Sequence, residues 1–554
     1  MKSTNISIEQ YVGYFFKVRR LRNKSTLWES RTFIANQGND EELAYVIDDK
    51  AEALGWLEFT DKYTTMLAEP YGGKGVGENG GGVRCGNTKN YQIKGIGVNP
   101  LVGTHDNYGH RNGMYALDEA VLEAINSEIY NHILPEGIVN YLAIIDIGQV
   151  QVDKSQKPLS VALGVRDIAC RPAHFLRAGR FEPKFKERVL NDTARLRLQY
   201  RMLSERFANE NEFVQYIGRF LLSCAKQFAF AKIHRIAHGA VSPSNMSFEG
   251  KWLDMASACF LPASYNYCTG SAVEYNLEGI QPLDMVSELI YNYNRFRRKQ
   301  LNDAPLHSYY ANQYNACLLH YLPSFYGLNV TQLDNPQINQ IKTRLLNKFI
   351  QLCNTNTDIQ IAPPHCKDFQ NDVAIDYLVS IYSCSTDEQD EFKLIKYAHK
   401  QKGESDNVSY GDFWMLSAIK SFKKAIYMRM FNSRYLKESV DDLVEHSKYQ
   451  ICSAINSFAN LSKWIFEGDQ NSNETIIFNN SSEMLWFDAR DSAFLWKRGD
   501  DIQSYTDINL LHQQVRSAPT SFLLDGGIDM FSLVCDLLSL LKSVQKVNPT
   551  GMEI

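Results

Sequence analysis

The chain has 554 residues, of which 44% are apolar and 22% charged, and its formal net charge is -5. This length and composition predict a folded protein with one large bilobal unit or two to four domains. The slightly acidic charge argues against a general nucleic-acid binder, which would have to neutralise many phosphates.

Cysteine usage and hydropathy limit the setting further. The eleven cysteines include no CxxC pair and no Cys/His cluster at zinc spacing, so we expect reduced thiols. The amino terminus lacks the apolar core of a secretion signal, and no run of about 18 apolar residues occurs. These features predict a cytoplasmic protein with no membrane partner and no nucleic-acid partner.

The texture of the sequence changes twice along the chain. Residues 1–70 are mixed and are interpreted as an amino-terminal extension without readable function. Residues 71–185 combine glycine turns with β-rich runs such as "NYLAIIDIGQVQV" and one helical segment, "ALDEAVLEAINSEIYNHI". Residues 186–554 are predicted to be mainly helical, with the polar stretch 467–483, "EGDQNSNETIIFNNSSE", as a loop. Together these segments predict an α+β fold.

The helical part begins with a periodic apolar pattern. Apolar residues recur at spacings of three and four in "NEFVQYIGRFLLSCAKQFAFAKIHRI", which predicts a helix with one buried face. The residues of that face are Phe213, Ile217, Leu221, Cys224 and Phe228.

Eight of the seventeen residues in the stretch 71–87, "YGGKGVGENGGGVRCGN", are glycine. Glycines let a backbone approach an anion and turn its amides toward it. The stretch does not match GxxxxGK[ST], and a flexible linker would have a similar composition. Alone, it indicates a phosphate loop or a linker equally well.

The order of the motifs that follow favours a phosphate site. After the glycines come a strand lysine, Lys94 in "YQIKG", then the acidic helix, then residues 238–254, "HGAVSPSNMSFEGKWLD". This is the order of a kinase-like site, in which Lys94 would contact polyphosphate oxygens and a helix acid would hold it. Asn245 and Asp254 would ligate Mg²⁺ or Mn²⁺ through oxygen atoms, and their spacing suits a loop, a short strand and a return.

Four segments, "QIKGIGVNPL", "LEAINSEI", "RPAHFLRAGRFE" and "HGAVSPSNMSFEGKWLD", resemble those of the selenoprotein O family of pseudokinases. The resemblance covers about residues 71–262. It implies a bilobal protein-kinase-like fold: a β-rich N-lobe with one main helix (71–185) and a helical C-lobe (186–554), with the metal-binding loop near residues 238–254. It further implies ATP bound in reversed orientation and transfer of AMP, not phosphate, to hydroxyl groups of proteins.

The resemblance also implies roles for individual residues. The catalytic residues would be Lys94, Glu123 and Arg177, with Glu119 as the alternative to Glu123. Arg166 would hold phosphate together with Arg177, although Arg171 competes for that role. The implied nucleotide-binding residues are Gly81, Gly82, Arg84, Lys94, Arg166 and Arg177, and the implied metal ligands are Asn245 and Asp254.

Two departures leave the chemistry open. Ser244 stands where the family has an aspartate, and "MAS" follows Asp254 in place of a glycine turn. The general base is therefore unassigned. Three functions remain: transfer of AMP to a Ser, Thr or Tyr hydroxyl of a protein or peptide, ordinary phosphorylation, or a non-catalytic ATP-binding scaffold. If the protein serves peptide maturation, the acceptor of the transferred group would be a peptide. A non-catalytic scaffold could act in the same process.

Overall fold

The computed structural model of the chain describes residues 13–36, 38, 42–48, 57–104, 112–151, 157–187, 189, 191–270, 272–329, 333, 335–383, 388–403, 407–466, 473–524 and 527–545. Its amino-terminal third is built on one antiparallel sheet in the order β2-β7-β8-β6-β5-β4-β1-β3. The strands are β1 (Tyr14–Leu21), β2 (Ser25–Glu29), β3 (Tyr45–Val46), β4 (Phe59–Ala68), β5 (Cys85–Asn87), β6 (Tyr91–Lys94), β7 (Tyr141–Val150) and β8 (Leu159–Asp167).

The expected division at residue 70 runs through this sheet. Strands β1 to β4 come from the segment interpreted as an extension, and β1 pairs with β4 from Tyr14 opposite Ala68 to Leu21 opposite Phe59. Strand β2 pairs with β7, which lies beyond the proposed boundary. Because backbone hydrogen bonds join the two segments, the described strands between Tyr14 and Ala68 belong to the same sheet as the strands that follow residue 70.

Helices supply most of the remaining chain. They are α1 (Arg31–Ala35), α2 (Leu117–Ile133), α3 (Asp192–Ser204), α4 (Glu210–Ile233), α5 (Tyr275–Glu278), α6 (Gln281–Arg297), α7 (Ala304–Phe325), α8 (Pro336–Cys353), α9 (Val373–Ser383), α10 (Asp390–Ala398), α11 (Tyr410–Tyr427), α12 (Ser433–His446), α13 (Ile451–Phe466), α14 (Ile508–Ser517) and α15 (Phe531–Gln545). The predicted helix of residues 116–133 is confirmed as α2. The predicted apolar face of α4 is also confirmed, because its five residues are all buried.

Helix α2 connects the sheet to the helical part. Its neighbours include strand β7 and helix α13. Apolar residues of the sheet, of α2 and of the carboxy-terminal helices belong to one buried cluster, from Trp28 to Val544. A second cluster, which includes Val18, Ile93 and Ile145, covers the opposite face of the sheet. Because α2 is packed within this buried cluster, the positions of its side chains relative to the sheet are fixed.

The carboxy-terminal half contains a second sheet that the sequence did not predict. Strands β13 (Glu474–Asn479), β14 (Glu483–Asp488), β15 (Ala493–Arg498) and β16 (Asp501–Tyr505) form an antiparallel meander in that order. The loop predicted for residues 467–483 is wrong from Glu474 onward, and residues 467–472 lie outside the described part. The run "TIIF" is β-branched and aromatic, which favours a strand, whereas the surrounding Asn and Ser suggested a loop.

Short strands complete the fold. They are β9 (Ile236–Ala237), β10 (Cys259–Phe260), β11 (Asn266–Tyr267), β12 (Ile359–Gln360), β17 (Leu523–Leu524) and β18 (Ile528–Asp529). Strands β9 and β10 pair with each other and frame the segment 238–258 that carries the candidate metal ligands. Within the described residues, none of the helices is long and apolar enough to cross a membrane.

Candidate functional site

A hairpin brings Asn245 and Asp254 to the same place. The amide of Leu253 donates to the carbonyl of Asn245 at 2.9 Å, and the amide of Ser247 donates to the carbonyl of Lys251 at 2.9 Å. Met246 and Trp252 form an antiparallel bridge between these two bonds. The expected loop and return between the two residues are present, whereas the expected short strand is reduced to this single bridge.

Buried polar groups support this hairpin from below. His238 is fully buried, and its Nε2 lies 3.0 Å from the carbonyl of Leu253, next to Asp254. Burial lowers the pKa of His238 to about 4, so the ring is neutral and braces the loop. The carboxyl of Glu278 accepts from the amides of His238 and Gly239 at 3.1 and 2.7 Å, and burial raises its pKa to about 8.

Lys94 forms a buried ion pair with helix α2. It is the last residue of β6, and its Nζ lies 2.7 Å from Oε2 of Glu123. The hydroxyl of Tyr115 donates to the same carboxylate, and Lys94 Nζ lies 4.4 Å from the centre of the Tyr115 ring. Glu123 is 2% exposed. These contacts fix Lys94 in one position.

The alternative acid, Glu119, lies one helical turn away and serves another partner. Its Oε2 is 3.0 Å from Nη1 of Arg84, and its side chain is 46% exposed. Arg84 also donates to the carbonyl of Met114 and lies over the Tyr115 ring, 5.1 Å from its centre. Glu123, not Glu119, therefore contacts Lys94.

Asp254 forms ion pairs with two basic side chains, Lys94 and Arg166. Its Oδ1 lies 3.1 Å from Lys94 Nζ and 2.9 Å from Arg166 Nη1, and the same guanidinium reaches Glu123 at 3.4 Å. Burial raises the pKa of Asp254, but Lys94, Arg166 and Arg171 outweigh it and hold the pKa well below its usual range. The side chain is still 32% exposed. Asp254 is thus an ionised carboxylate that solvent can reach.

The backbone of Asp254 is left-handed, with φ of 55°. Aspartate and asparagine tolerate this conformation better than most residues do. The glycine turn that the sequence lacks after Asp254 is replaced by a short helical turn, Met255–Ser257. A change in backbone direction at this point is therefore made by Asp254 itself.

Arg166 and Arg171, the two candidates for one phosphate-holding role, both donate to the side chain of Gln92. Oε1 of Gln92 accepts from Arg166 Nε at 2.7 Å and from Arg171 Nη2 at 2.9 Å, and the amide nitrogen donates to Glu69. Arg171 donates to the carbonyl of Ser244 at 2.9 Å, whereas Arg166 reaches Asp254. Arg166 thus faces the ion-pair cluster, and Arg171 anchors the hairpin.

Glu69 completes this buried network. It is 3% exposed and also accepts from Nε2 of His174, whose Nδ1 accepts from the amide of Arg171 at 3.0 Å. Burial raises the pKa of Glu69, but His174 and Arg171 lower it to about 2. Neither Gln92 nor Glu69 was predicted from the sequence as part of the site. One signal for Gln92 was available, because residues two apart on a strand share a face and Lys94 follows it by two.

The glycine-rich segment is packed, and its glycines have different roles. Gly81 forms a bridge with Pro70, and a Cβ there would lie 2.3 Å from the carbonyl oxygen of Glu69. The carbonyl of Gly82 accepts from Asn99 at 2.7 Å. Gly81 and Gly82 therefore allow close packing of the chain.

The tip of the same segment carries amides that point to no backbone acceptor. The amides of Gly72 and Gly73 donate to the carbonyls of Ala173 and Arg177 at 2.9 and 3.0 Å, whereas those of residues 74–77 have no backbone acceptor among the described residues. Gly75 lies beside the hydroxyls of Ser242 and Ser244, since a Cβ would be 3.1 Å and 3.6 Å from them. The free amides therefore lie next to the candidate metal loop.

Arg177 is the one implied catalytic residue that stands apart from the cluster in the described contacts. Its side chain is exposed, and only its backbone is in contact with the glycine segment. Burial raises the pKa of Glu288 on α6, and the nearby backbone of Arg177 lowers it. The structure therefore places Arg177 at the rim beside Gly73 and not against Lys94 or Asp254.

Glu123→Gln is expected to lower any nucleotide transfer by about 10-fold to 100-fold, because Lys94 and Arg166 lose a buried charge that orients them. Glu119→Gln is the matched control one turn earlier, and we expect its activity to stay within about 3-fold of the wild type, since a half-exposed ion pair contributes little. Initial rates of the two purified variants decide between them. Equal losses in both would show that Glu123 has no special role.

Comparison of the sequence with models of known protein families gives no match, and comparison with curated proteins gives none either. Among the residues that the structure describes, no group of three or more His, Cys, Asp or Glu side chains could hold a metal ion. The ion-pair cluster of Lys94, Glu123, Arg166 and Asp254, with the hairpin beside it, is therefore the candidate site, and its chemistry has to be inferred from its own side chains.

Proposed function

We propose that this protein binds ATP with Mg²⁺ or Mn²⁺ at the ion-pair cluster and transfers AMP to a hydroxyl side chain of a protein or peptide. The observation that carries the proposal is the meeting of Lys94 and Arg166 on one solvent-accessible carboxylate, Asp254. Cations held next to an accessible carboxylate suit a ligand that brings both phosphate oxygens and a metal ion. The selenoprotein O resemblance supplies the reaction type.

The donor set suits a metal that arrives with the nucleotide. Asn245 and Asp254 offer one amide and one carboxylate, and Mg²⁺ is commonly held by one or two carboxylates together with substrate phosphates and water. The amide nitrogen of Asn245 donates to the carbonyl of Ala240 at 2.9 Å, which turns its oxygen to the other side. Arg171 Nε is buried without a hydrogen-bond partner among the described residues, so this guanidinium can still donate one hydrogen bond.

Binding requires an exchange of partners within the cluster. Asp254 is paired with Lys94 and Arg166 in this structure, and it would pass to the metal ion as phosphate oxygens take its place on the two cations. Glu123 and Tyr115 would keep Lys94 in position during the exchange, and Gln92 would keep Arg166 in position. Such fixed charges stabilise a transition state because they need no reorganisation.

In the proposed step the acceptor oxygen forms a bond to the α-phosphorus, and the bond from that phosphorus to the pyrophosphate oxygen breaks. The metal ion supplies charge neutralisation of the phosphates. Lys94 and Arg166 stabilise the leaving pyrophosphate, and the hydroxyl proton passes to water. The loose transition state of phosphoryl transfer demands little from a general base, which fits Ser244 in place of an acid.

AMP transfer is separated from ordinary phosphorylation by the position of the label. The purified chain, incubated with a cell extract and Mg²⁺, is expected to transfer label to protein from α-³²P ATP and not from γ-³²P ATP, and excess EDTA is expected to abolish the transfer. Label from γ-³²P ATP alone would identify a kinase. Undiminished transfer in EDTA would exclude the metal role of Asn245 and Asp254.

A non-catalytic scaffold is the second candidate, and Ser244 is the observation that favours it. Its hydroxyl lies 2.9 Å from that of Ser242 and 3.4 Å from Asn245 Oδ1, so no acid occupies this position beside the metal loop. ATP binding that is measurable by calorimetry, without transfer of either label, would support the scaffold.

ATP should also change the glycine-rich tip. If the free amides of residues 74–77 bind phosphate, their hydrogen exchange is expected to slow on addition of MgATP, because they gain acceptors. The amides of Gly72, Gly73 and Gly80 are already bonded and serve as internal controls. Lys94→Ala should weaken the effect. Equal exchange at the tip with and without saturating MgATP would make the segment structural only.

A further inference from the structure

A separate cavity of about 190 Å³ lies behind the hairpin. It is formed by the two residues before strand β7, the end of strand β8 with the connection after it, the turn of the hairpin and one residue of helix α4. Its lining consists of Val139, Asn140, Asp167, Ile168, Ala169, Cys170, Tyr216, Ser247, Phe248, Glu249 and Lys251. None of the residues of the ion-pair cluster lines it, so it is a different site.

The cavity shares its wall with the metal loop. The amide of Phe248 donates to the carbonyl of Cys170 at 2.8 Å, and the amide of Val139 donates to the carbonyl of Trp252 at 2.9 Å. Both bonds tie the hairpin to the chain segments that enclose the cavity. Asn245 and Asp254 lie at the other end of this hairpin, so a molecule in the cavity would contact the same hairpin that carries them.

The lining favours a small cation. Asp167 and Glu249 are acidic and Lys251 is the single base of the lining, which leaves an excess of one negative charge. Oδ2 of Asp167 accepts from the side-chain amide nitrogen of Asn140 at 2.7 Å, which fixes the carboxylate at the wall. Burial raises the pKa of the Tyr216 hydroxyl, and Arg206, a base outside the lining, lowers it. Because pockets for drug-sized ligands measure about 300–1,000 Å³, this cavity suits a smaller molecule.

We propose that this cavity binds a small molecule with a primary ammonium group, which is held by Asp167, and that its occupancy acts on the metal loop through the hairpin. The proposal does not depend on the reaction that the ion-pair cluster performs. The apolar wall of Val139, Ile168 and Phe248 would cover the carbon chain of such an amine.

Cys170 provides a reporter inside the cavity. It lines the cavity together with Tyr216 and is partly exposed, and Cys452, on α13, is exposed elsewhere. Alkylation of both by iodoacetamide is followed by peptide mass spectrometry in the presence of 1,4-diaminobutane, 1,4-butanediol or succinate. These three molecules have similar length and differ in charge. We expect the diamine to slow alkylation of Cys170 at least 3-fold, while the diol and succinate leave it unchanged and Cys452 is unaffected by all three.

Two variants test the cause. Asp167→Asn keeps a hydrogen-bond acceptor for Asn140 and should remove the protection, whereas Lys251→Gln should strengthen it. Equal effects of diamine, diol and succinate, or full protection in the Asp167→Asn variant, would overturn the proposal. If Cys170 does not react in the folded protein, calorimetry with the diamine decides: heat that is lost in Asp167→Asn supports the site, and no heat overturns it.

Discussion

Asp254→Asn is expected to lower nucleotide transfer at least about 100-fold, the usual scale for loss of a group that stabilises charge in the transition state. The carboxylate is the point on which Lys94 and Arg166 meet, and it is ionised because these cations hold its pKa well below the usual range. Asparagine tolerates the left-handed backbone at this position, so the fold should persist. The circular dichroism spectrum and the urea midpoint check that expectation.

The same variant should bind ATP more tightly when metal is absent. In the wild type the carboxylate competes with phosphate for Lys94 and Arg166, and the amide does not. With metal present the order should reverse, because the variant lacks the ionised ligand. Glu249→Gln, on the same hairpin and 3.8 Å from its partner Lys251, is the matched control, and its transfer rate should stay at the wild-type value. Unchanged turnover in Asp254→Asn would show that the reaction site lies elsewhere.

Local sequence patterns predicted the elements that carry the site. The strand ending at Lys94, the helix with Glu123 and the return from Asn245 to Asp254 were all expected, and each depends on periodicity or on turn residues within about twenty positions. Helix α4 was predicted from its apolar spacing alone. Such elements are determined mainly by local signals and by one buried face.

Long-range pairing explains what the sequence did not reveal. Strand β2 was missed as part of the sheet because its partner, β7, lies more than a hundred positions away, and β1 was missed because its partner β4 also lies beyond the reach of local patterns. The role of Gln92 was missed for the same reason, since Arg166, Arg171 and Glu69 are scattered along the chain. A polar residue on a buried strand is ambiguous until its partners are known.

Gln92→Leu is expected to destabilise the protein by about 3 kcal/mol or more, because it leaves buried charged groups without partners. Arg166 Nε and Arg171 Nη2 lose the amide oxygen, and Glu69, whose pKa is held near 2, loses a donor. Leucine is close to glutamine in size, so the loss does not arise from a large cavity. The urea midpoint measures it, and transfer should fall as well because Arg166 is no longer aimed at Asp254.

Gln149→Leu is the matched control, since it makes the same substitution at an exposed position on strand β7, where about 0.5 kcal/mol or less is expected. Gln92→Glu separates the two halves of the amide. It keeps oxygens for both arginines but places a carboxylate beside Glu69. Part of the transfer activity should therefore return at low pH. One of the two carboxylates can then hold a proton and donate it to the other, as the glutamine amide donates to Glu69. If Gln92→Leu and Gln149→Leu unfold at the same urea concentration, the arginines find other partners, and the position of Arg166 does not depend on Gln92.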